Sequence, residues 1–222
     1  MDASWQFIED ELGRWTGIND GGSEHFLRNP IGSLARETIQ NSLDAKAGGE
    51  PVIIDFKLLT IKREQFPNID ELQSKIDLSL KTKRNVSDPR AKKALELALA
   101  SIKKPHQSIL KISEQNTLGM SGPAYDENSP FYAYTKGTGL SGKADGIGSF
   151  GIGKKAPVVM SGLRTVLVST RYDHDGQQKF LCQGMSFWVT HQIGSRTFEG
   201  TGYWGISRGS PVTEPDEVPD WL

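Results

Sequence analysis

Cysteine is almost absent from this chain: its 222 residues hold one, Cys182. No disulfide can form within the chain, and no cysteine-rich zinc site can assemble. The four histidines, His25, His106, His174 and His191, stand without ligand spacing, which argues against a zinc enzyme. No run of about 18 apolar residues occurs, which excludes a membrane-spanning helix. The opening stretch, MDASWQFIEDELGRW, is amphipathic and acidic, unlike a secretory leader. A reducing, cytoplasmic setting is the expectation. Apolar residues make up 36% and charged residues 24%, a mix that folds rather than staying disordered. The length suits one large domain, or one domain with an insertion.

Net charge is only −1, but it is unevenly spread. Residues 61–104 carry eleven Lys/Arg against six Asp/Glu, a local excess of +5. The last twelve residues hold four acids and no base. A basic stretch is either a solvated helix face or a surface for a polyanion.

Trp5, Ile8, Leu12 and Trp15 lie near one stripe, so residues 3–15 read as a helix. TGINDGGSE reads as a turn or strap. Residues 31–46 read as a second helix, entered through Asn29-Pro30, with an apolar stripe of Leu34, Ala35, Ile39 and Leu43. PVIIDFKLLTI and SILKI read as strands. Between them, 69–83 and 88–104 read as charged helices, the second capped by Ser87 or Asp88 with Pro89 in its first turn. Residues 119–153 read as a long Gly/Ser-rich loop, of the kind usually tied to function. RTVLVSTRY, KFLCQGMSFWV and TGYWGI read as sheet. The Pro-rich acidic end, 211–222, reads as a linker toward a further C-terminal region. This order implies an α+β two-layer sandwich, with helices on one face of a mixed, mostly antiparallel sheet.

The densest signal is Gly146-Ile-Gly148-Ser149-Phe150-Gly151-Ile-Gly153-Lys154-Lys155. Glycines let backbone amides approach phosphate oxygens. A helix can start near Lys154 and run to about Met160. The string fits the dinucleotide pattern and the kinase glycine loop, and nearly fits a P-loop. Context removes all three. A polar loop precedes it rather than a strand, Lys155 stands where a P-loop needs Ser or Thr, and the kinase His-Arg-Asp and Asp-Phe-Gly strings are absent.

The helix LARETIQNSLDAK supplies the second signal. Glu37 and Asn41 are four apart, and Asp44 is three further on, so all three share a face. An amide oxygen is a hard ligand suited to Mg²⁺, and a carboxylate can deprotonate an attacking water.

Together and in this order, these motifs resemble the GHKL or Bergerat-fold ATPases, which include DNA gyrase, MutL, the ninety-kilodalton heat-shock chaperone, MORC proteins and sensor histidine kinases. The first box, Glu-x-x-x-Asn-x-x-Asp-Ala, is matched by Glu37, Asn41, Asp44 and Ala45. The second box follows a strand, here as KISEQNTLGMSG with Gly119 and Met120. The third is GIGSFGIGKKA, and a late Gly-Thr is matched by Gly200-Thr201. The likeness covers residues 31 to 205.

The resemblance implies an ATPase domain over 1–210, with a basic helical insertion at 61–104 and an ATP lid at about 121–147. It implies ATP and Mg²⁺ as ligands. Glu37 would be the general base and Asn41 would hold Mg²⁺. Asp44 and Ala45 would support the adenine side, Met120 would pack on the base, and Thr201 would touch its water network. Gly146, Gly148, Ser149, Phe150, Gly151 and Gly153 would wrap the phosphates, with Lys154 or Lys155 adding charge. The sequence departs from the family at its adenine-reading acid. Gln115 takes that place in ungapped alignment, while Glu114 fits if the loop is one residue longer; Asn116 lies beside both.

The function implied is Mg²⁺-dependent ATP hydrolysis driving a conformational or dimerisation switch, within a larger DNA-maintenance or antiviral-defence protein. An ATP-dependent homodimer, exchanging a strap from residues 1–24, goes with it. The alternative is a nucleotide-binding regulatory module with little or no hydrolysis. A histidine-kinase domain fits least, because no helix pair with a phospho-accepting histidine precedes the boxes. The 61–104 segment is expected to contact nucleic acid or a protein partner.

Overall fold

In a computed structural model of the chain, residues 3–18, 26–137 and 153–222 are described. Among them are seven strands: β1 (Ser4–Glu9), β2 (Ile53–Lys62), β3 (His106–Gln115), β4 (Thr165–His174), β5 (Gln177–Phe187), β6 (His191–Ile193) and β7 (Arg196–Gly205). Six α-helices accompany them: α1 (Pro30–Asp44), α2 (Ile69–Lys81), α3 (Lys83–Ser87), α4 (Pro89–Ile102), α5 (Pro130–Thr135) and α6 (Lys155–Met160). The main sheet runs β1-β7-β5-β4, with β6 also on β7, and β2 and β3 form a separate ribbon. Every strand pairing among the described residues is antiparallel. The class is therefore α+β. None of the described helices is long and apolar enough to cross a membrane.

The helix expected over residues 3–15 is a strand instead. Trp5 lies opposite Trp204 and Phe7 opposite Gly202 on β7. Alternation therefore sends Trp5 into the core at 4% exposure, while Leu12, on the expected stripe, is 89% exposed. The Glu71 carboxylate on α2 accepts the Trp5 backbone N–H at 2.8 Å, and the Trp5 indole donates to Pro67 O at 3.0 Å. These long-range partners outweigh a local helical preference that is worth only tenths of a kcal/mol per residue.

Leu181 and Cys182 are neighbours on β5 and point to opposite faces of the sheet. Cys182 joins Trp5 and Trp204 in the principal core, against Leu72 and Ile76 of α2 and Leu95, Ala98 and Ile102 of α4. Leu181 joins Tyr172 and Phe131 of α5 in a smaller cluster. α2 and α4 thus cover one face of the sheet, while short α5 lies on the other and α1 packs on α6 instead, so the helices are not confined to one face as expected. Each fully buried Leu or Ile contributes roughly 1.5–3 kcal/mol. The basic segment is therefore a main supplier of the core. Asp88 caps α4, its carboxylate accepting from Arg90 N and Ala91 N, with Pro89 at the first position. The α2–α3 corner is tied to the strand region: the Asn85 amide donates to Ser79 O at 3.1 Å and to Thr190 O at 2.8 Å.

The acidic end, read as a linker, packs on the body instead. Val212 is fully buried and exchanges backbone hydrogen bonds with Cys182, both at 2.8 Å. The Trp221 ring stacks on Phe66 at 6.4 Å, and its indole donates to Gln65 O at 3.1 Å. Within the long loop, Pro130–Thr135 is helical, with the Ser129 hydroxyl accepting from Tyr132 N.

Candidate functional site

Helix α1 carries the first group of residues. Asn29 caps it, its side chain accepting Gly32 N at 3.1 Å, and Pro30 opens it. At about 100° per residue, Glu37, Asn41 and Asp44 fall within an arc of roughly 60°. Glu37 is half-buried, and Asn41 and Asp44 are exposed. No hydrogen bond or ion pair ties up the Glu37 or Asn41 side chain among the described residues.

The helix turns a different face inward than its apolar residues suggest. Leu34 and Ser42 are buried, whereas Ile39 and Leu43 are 44% and 57% exposed. Ser42 can face in because its hydroxyl donates to Thr38 O at 2.9 Å. Leu34 packs with Ala156, Val159 and Met160 of α6 and with Ile112 of β3. The Glu37–Asn41–Asp44 strip borders this contact.

Backbone bonds then join α1 to the loop after β3. Leu118 N donates to Ala45 O at 2.7 Å, and Ala47 N donates to Asn116 O at 2.9 Å. Lys46 and Thr117 form an antiparallel bridge between them. Asn116 takes φ +62°, and its side chain donates to Pro51 O at 2.7 Å. Asn116 thus holds the turn. Gly119 follows at φ +63°, where a Cβ would meet Thr170 Oγ1 at 2.9 Å and Arg171 O at 3.3 Å on β4. Only glycine combines that dihedral with that approach. Met120 packs against the Phe131, Tyr172 and Leu181 cluster.

Register separates the two candidates for the adenine-reading residue. Glu114 lies opposite Ile54 and Gln115 opposite Ile53, so they point to opposite faces of the ribbon. Glu114 shares a face with Ile112, which contacts α1 and α6. Gln115 points to the other face. Both are exposed at the strand end.

Gly146, Gly148, Ser149, Phe150 and Gly151 lie outside the described residues. Gly153 is buried in the turn before α6, its carbonyl accepting Ala156 N at 3.0 Å. The Lys154 ammonium donates to Ala133 O at 3.3 Å, to Tyr134 O at 3.2 Å and to Gly137 O. It therefore caps the C-terminal carbonyls of α5. Burial, with the adjacent Lys155 charge, holds its pKa below the usual lysine value. The Lys155 ammonium lies 4.9 Å from the Phe187 ring centre. Phe187 is paired directly with Thr201 on β7, so Lys155, Phe187 and Thr201 share one side of the sheet. Nearby, the Lys136 ammonium donates to Gly209 O at 2.7 Å over the Tyr203 ring, and burial pulls its pKa down to about 8.

The structure thus brings together α1, the loop after β3 and the start of α6. Sequence reasoning missed the Lys154 cap, the Gly119 approach to β4 and the aromatic floor beneath Met120. The αL-tolerant Asn116 and Gly119 were the available signals for the turn. An open cavity of about 510 Å³ lies elsewhere, between the β4–β5 hairpin and the tail, lined by Tyr172, Lys179 and Glu214 among others. No group of three or more His, Cys, Asp or Glu is placed to hold a metal among the described residues. A divalent ion at α1 would rest on Asn41 and ligand oxygens, a mode that suits Mg²⁺, which keeps several waters. Compared with protein-family models, curated proteins and solved structures, the chain matches none.

Proposed function

We propose that this chain is a Bergerat-type nucleotide-binding domain that hydrolyses ATP with Mg²⁺ and uses the cycle as a conformational or dimerisation switch. The observation that carries the reading is the backbone joint between Ala45–Ala47 and Asn116–Leu118, with α6 packed on the same helix. Two sequence motifs roughly 70 residues apart, and the Gly153–Lys155 end of a third, meet there, which chance placement would not require.

On this reading, Asn41 would hold Mg²⁺, which would supply charge neutralisation at the phosphates. The Glu37 carboxylate orients a water and accepts its proton as the water attacks the terminal phosphoryl group, whose bond to the bridging oxygen breaks to release ADP. Its partial burial beside an unpartnered Asn41 supports that role. Met120 offers an apolar contact for the base. Glu114 accepts the exocyclic amino hydrogen, and its register position supports it over Gln115. The position of Lys155 beside Phe187 supports it over Lys154 as the phosphate-side cation, because Lys154 already serves three carbonyls.

The test is ATP binding and turnover with Mg²⁺, measured for the parent and for Glu37→Ala. Binding by both, with turnover only in the parent, is expected. Binding by both without turnover in either would favour the regulatory-module reading. No binding by the parent would overturn the proposal.

A further inference from the structure

A second surface stands apart from the nucleotide reading. Residues 81–93 run through the end of α2, all of α3 and the first turn of α4. They carry six cations, Lys81, Lys83, Arg84, Arg90, Lys92 and Lys93, against one acid, Asp88. All six cations are exposed.

Of the five acids in residues 69–102, four are already engaged; the fifth, Asp77, lies one turn before Lys81 on α2 without pairing to it. Asp88 caps α4. Glu71 accepts the Trp5 N–H, Asp70 pairs with Arg63 at 2.7 Å, and Glu96 faces Lys92 at 3.8 Å. Lys81, Lys83, Arg90 and Lys93 have no acidic partner among the described residues. The local charge is thus displayed rather than cancelled within the fold. It is also fixed in place. Asn85 anchors the corner from within, and Gln192 N donates to Thr82 Oγ1 at 3.1 Å.

We infer that this corner binds the phosphate backbone of double-stranded nucleic acid. Exposed cations without acidic partners, carried on an anchored stretch of backbone, match a dense row of phosphates and gain from counterion release. A single strand would also call for aromatic faces on which bases stack. The aromatic side chain beside the corner, Trp15, has the Arg84 guanidinium over it at 4.8 Å. Among the described residues the surface therefore offers charge without an open stacking platform, which favours a duplex.

The test uses a fluorescein-labelled duplex DNA of about 20 base pairs, long enough to cover the corner, titrated with the full chain between about 50 and 200 mM salt. Four neutralised phosphates give a log–log salt slope near −3.6, or roughly a 150-fold loss of affinity across that range. The variant Lys81→Gln/Lys83→Gln/Arg90→Gln/Lys93→Gln should bind at least tenfold more weakly at the lower salt, with a much flatter slope. A control, Lys62→Gln/Lys103→Gln/Lys104→Gln, removes charges beyond the corner; Lys103 lies about 15 Å along α4 from Lys93. It should bind within threefold of the parent. If the fourfold variant does not fold, the doubles Lys81→Gln/Lys83→Gln and Arg90→Gln/Lys93→Gln should each lose about half the slope.

No duplex binding by the parent at the lower salt would overturn the inference. So would equal losses in corner and control variants, which would mean diffuse attraction. Equal or tighter binding to polyglutamate, or to phosphatidylserine vesicles, would point to an acidic protein or a membrane surface and would also overturn it. None of these outcomes depends on ATP.

Discussion

His191 gives the sharpest prediction about stability. Its side chain has zero exposure, and neither ring nitrogen meets a hydrogen-bond partner among the described residues. Phe7 meets the ring edge-on at 5.3 Å and Phe198 stacks on it at 5.5 Å. Burial first, and then the Lys75 charge, lower the pKa to about 4, against a smaller opposing pull from the Val189 backbone. In the unfolded chain the ring titrates near 6.5. Above that value neither state holds the proton, and folding carries no penalty. As pH falls below it, the unfolded chain takes up the proton while the folded chain does not. Stability then falls by about 1.4 kcal/mol per pH unit until about pH 4, where the folded state also protonates. Between pH 7.5 and 5.0 this loss is about 2 kcal/mol. Urea unfolding at the two pH values measures it directly. His191→Phe keeps an aromatic ring and removes both unpartnered nitrogens, so the loss attributable to this site should vanish. If His191→Phe weakens with falling pH as steeply as the parent, the reasoning is refuted.

The other predictions concern packing and the site. Gly119→Ala meets both an αL dihedral and the Thr170 and Arg171 atoms of β4, whereas Gly176→Ala meets a similar dihedral in open space. Both should lose about 1–2 kcal/mol from strain, with Gly119→Ala losing more; equal urea midpoints would sink the contact argument. Asn85→Ala leaves the Ser79 and Thr190 carbonyls without their buried donor. A loss of about 2–4 kcal/mol is expected, and a change under about 0.5 kcal/mol would mean that the corner is held some other way. Lys154→Met removes the cap on α5 and should lower stability by about 1–3 kcal/mol with or without nucleotide, whereas Lys155→Met should affect chiefly ATP affinity. Reversed effects in thermal melting and ATP titration would exchange the two assignments.

Much of the local structure was legible in the chain. Asn29-Pro30 and Asp88-Pro89 announce helix starts because a side-chain oxygen satisfies free N–H groups and proline needs none there. The apolar runs of β2 and β3 lie near their expected bounds. Glu37, Asn41 and Asp44 share a strip because helical geometry leaves no choice. These features rest on interactions within a few residues, so the sequence alone determines them.

Tertiary structure decided the rest. Trp5 became part of a strand because Trp204 and Glu71 were available across the fold. α1 turned Leu34 and Ser42 inward, not Ile39 and Leu43, because its neighbours α6 and β3 touch only that side. The acidic tail became core because Val212 found Cys182. Lys154, legible only as a charge, became a helix cap because α5 ends within its reach. In each case the local preference was small. The deciding energy came from burial and hydrogen bonds between segments distant in sequence, and these exist only once the chain has folded.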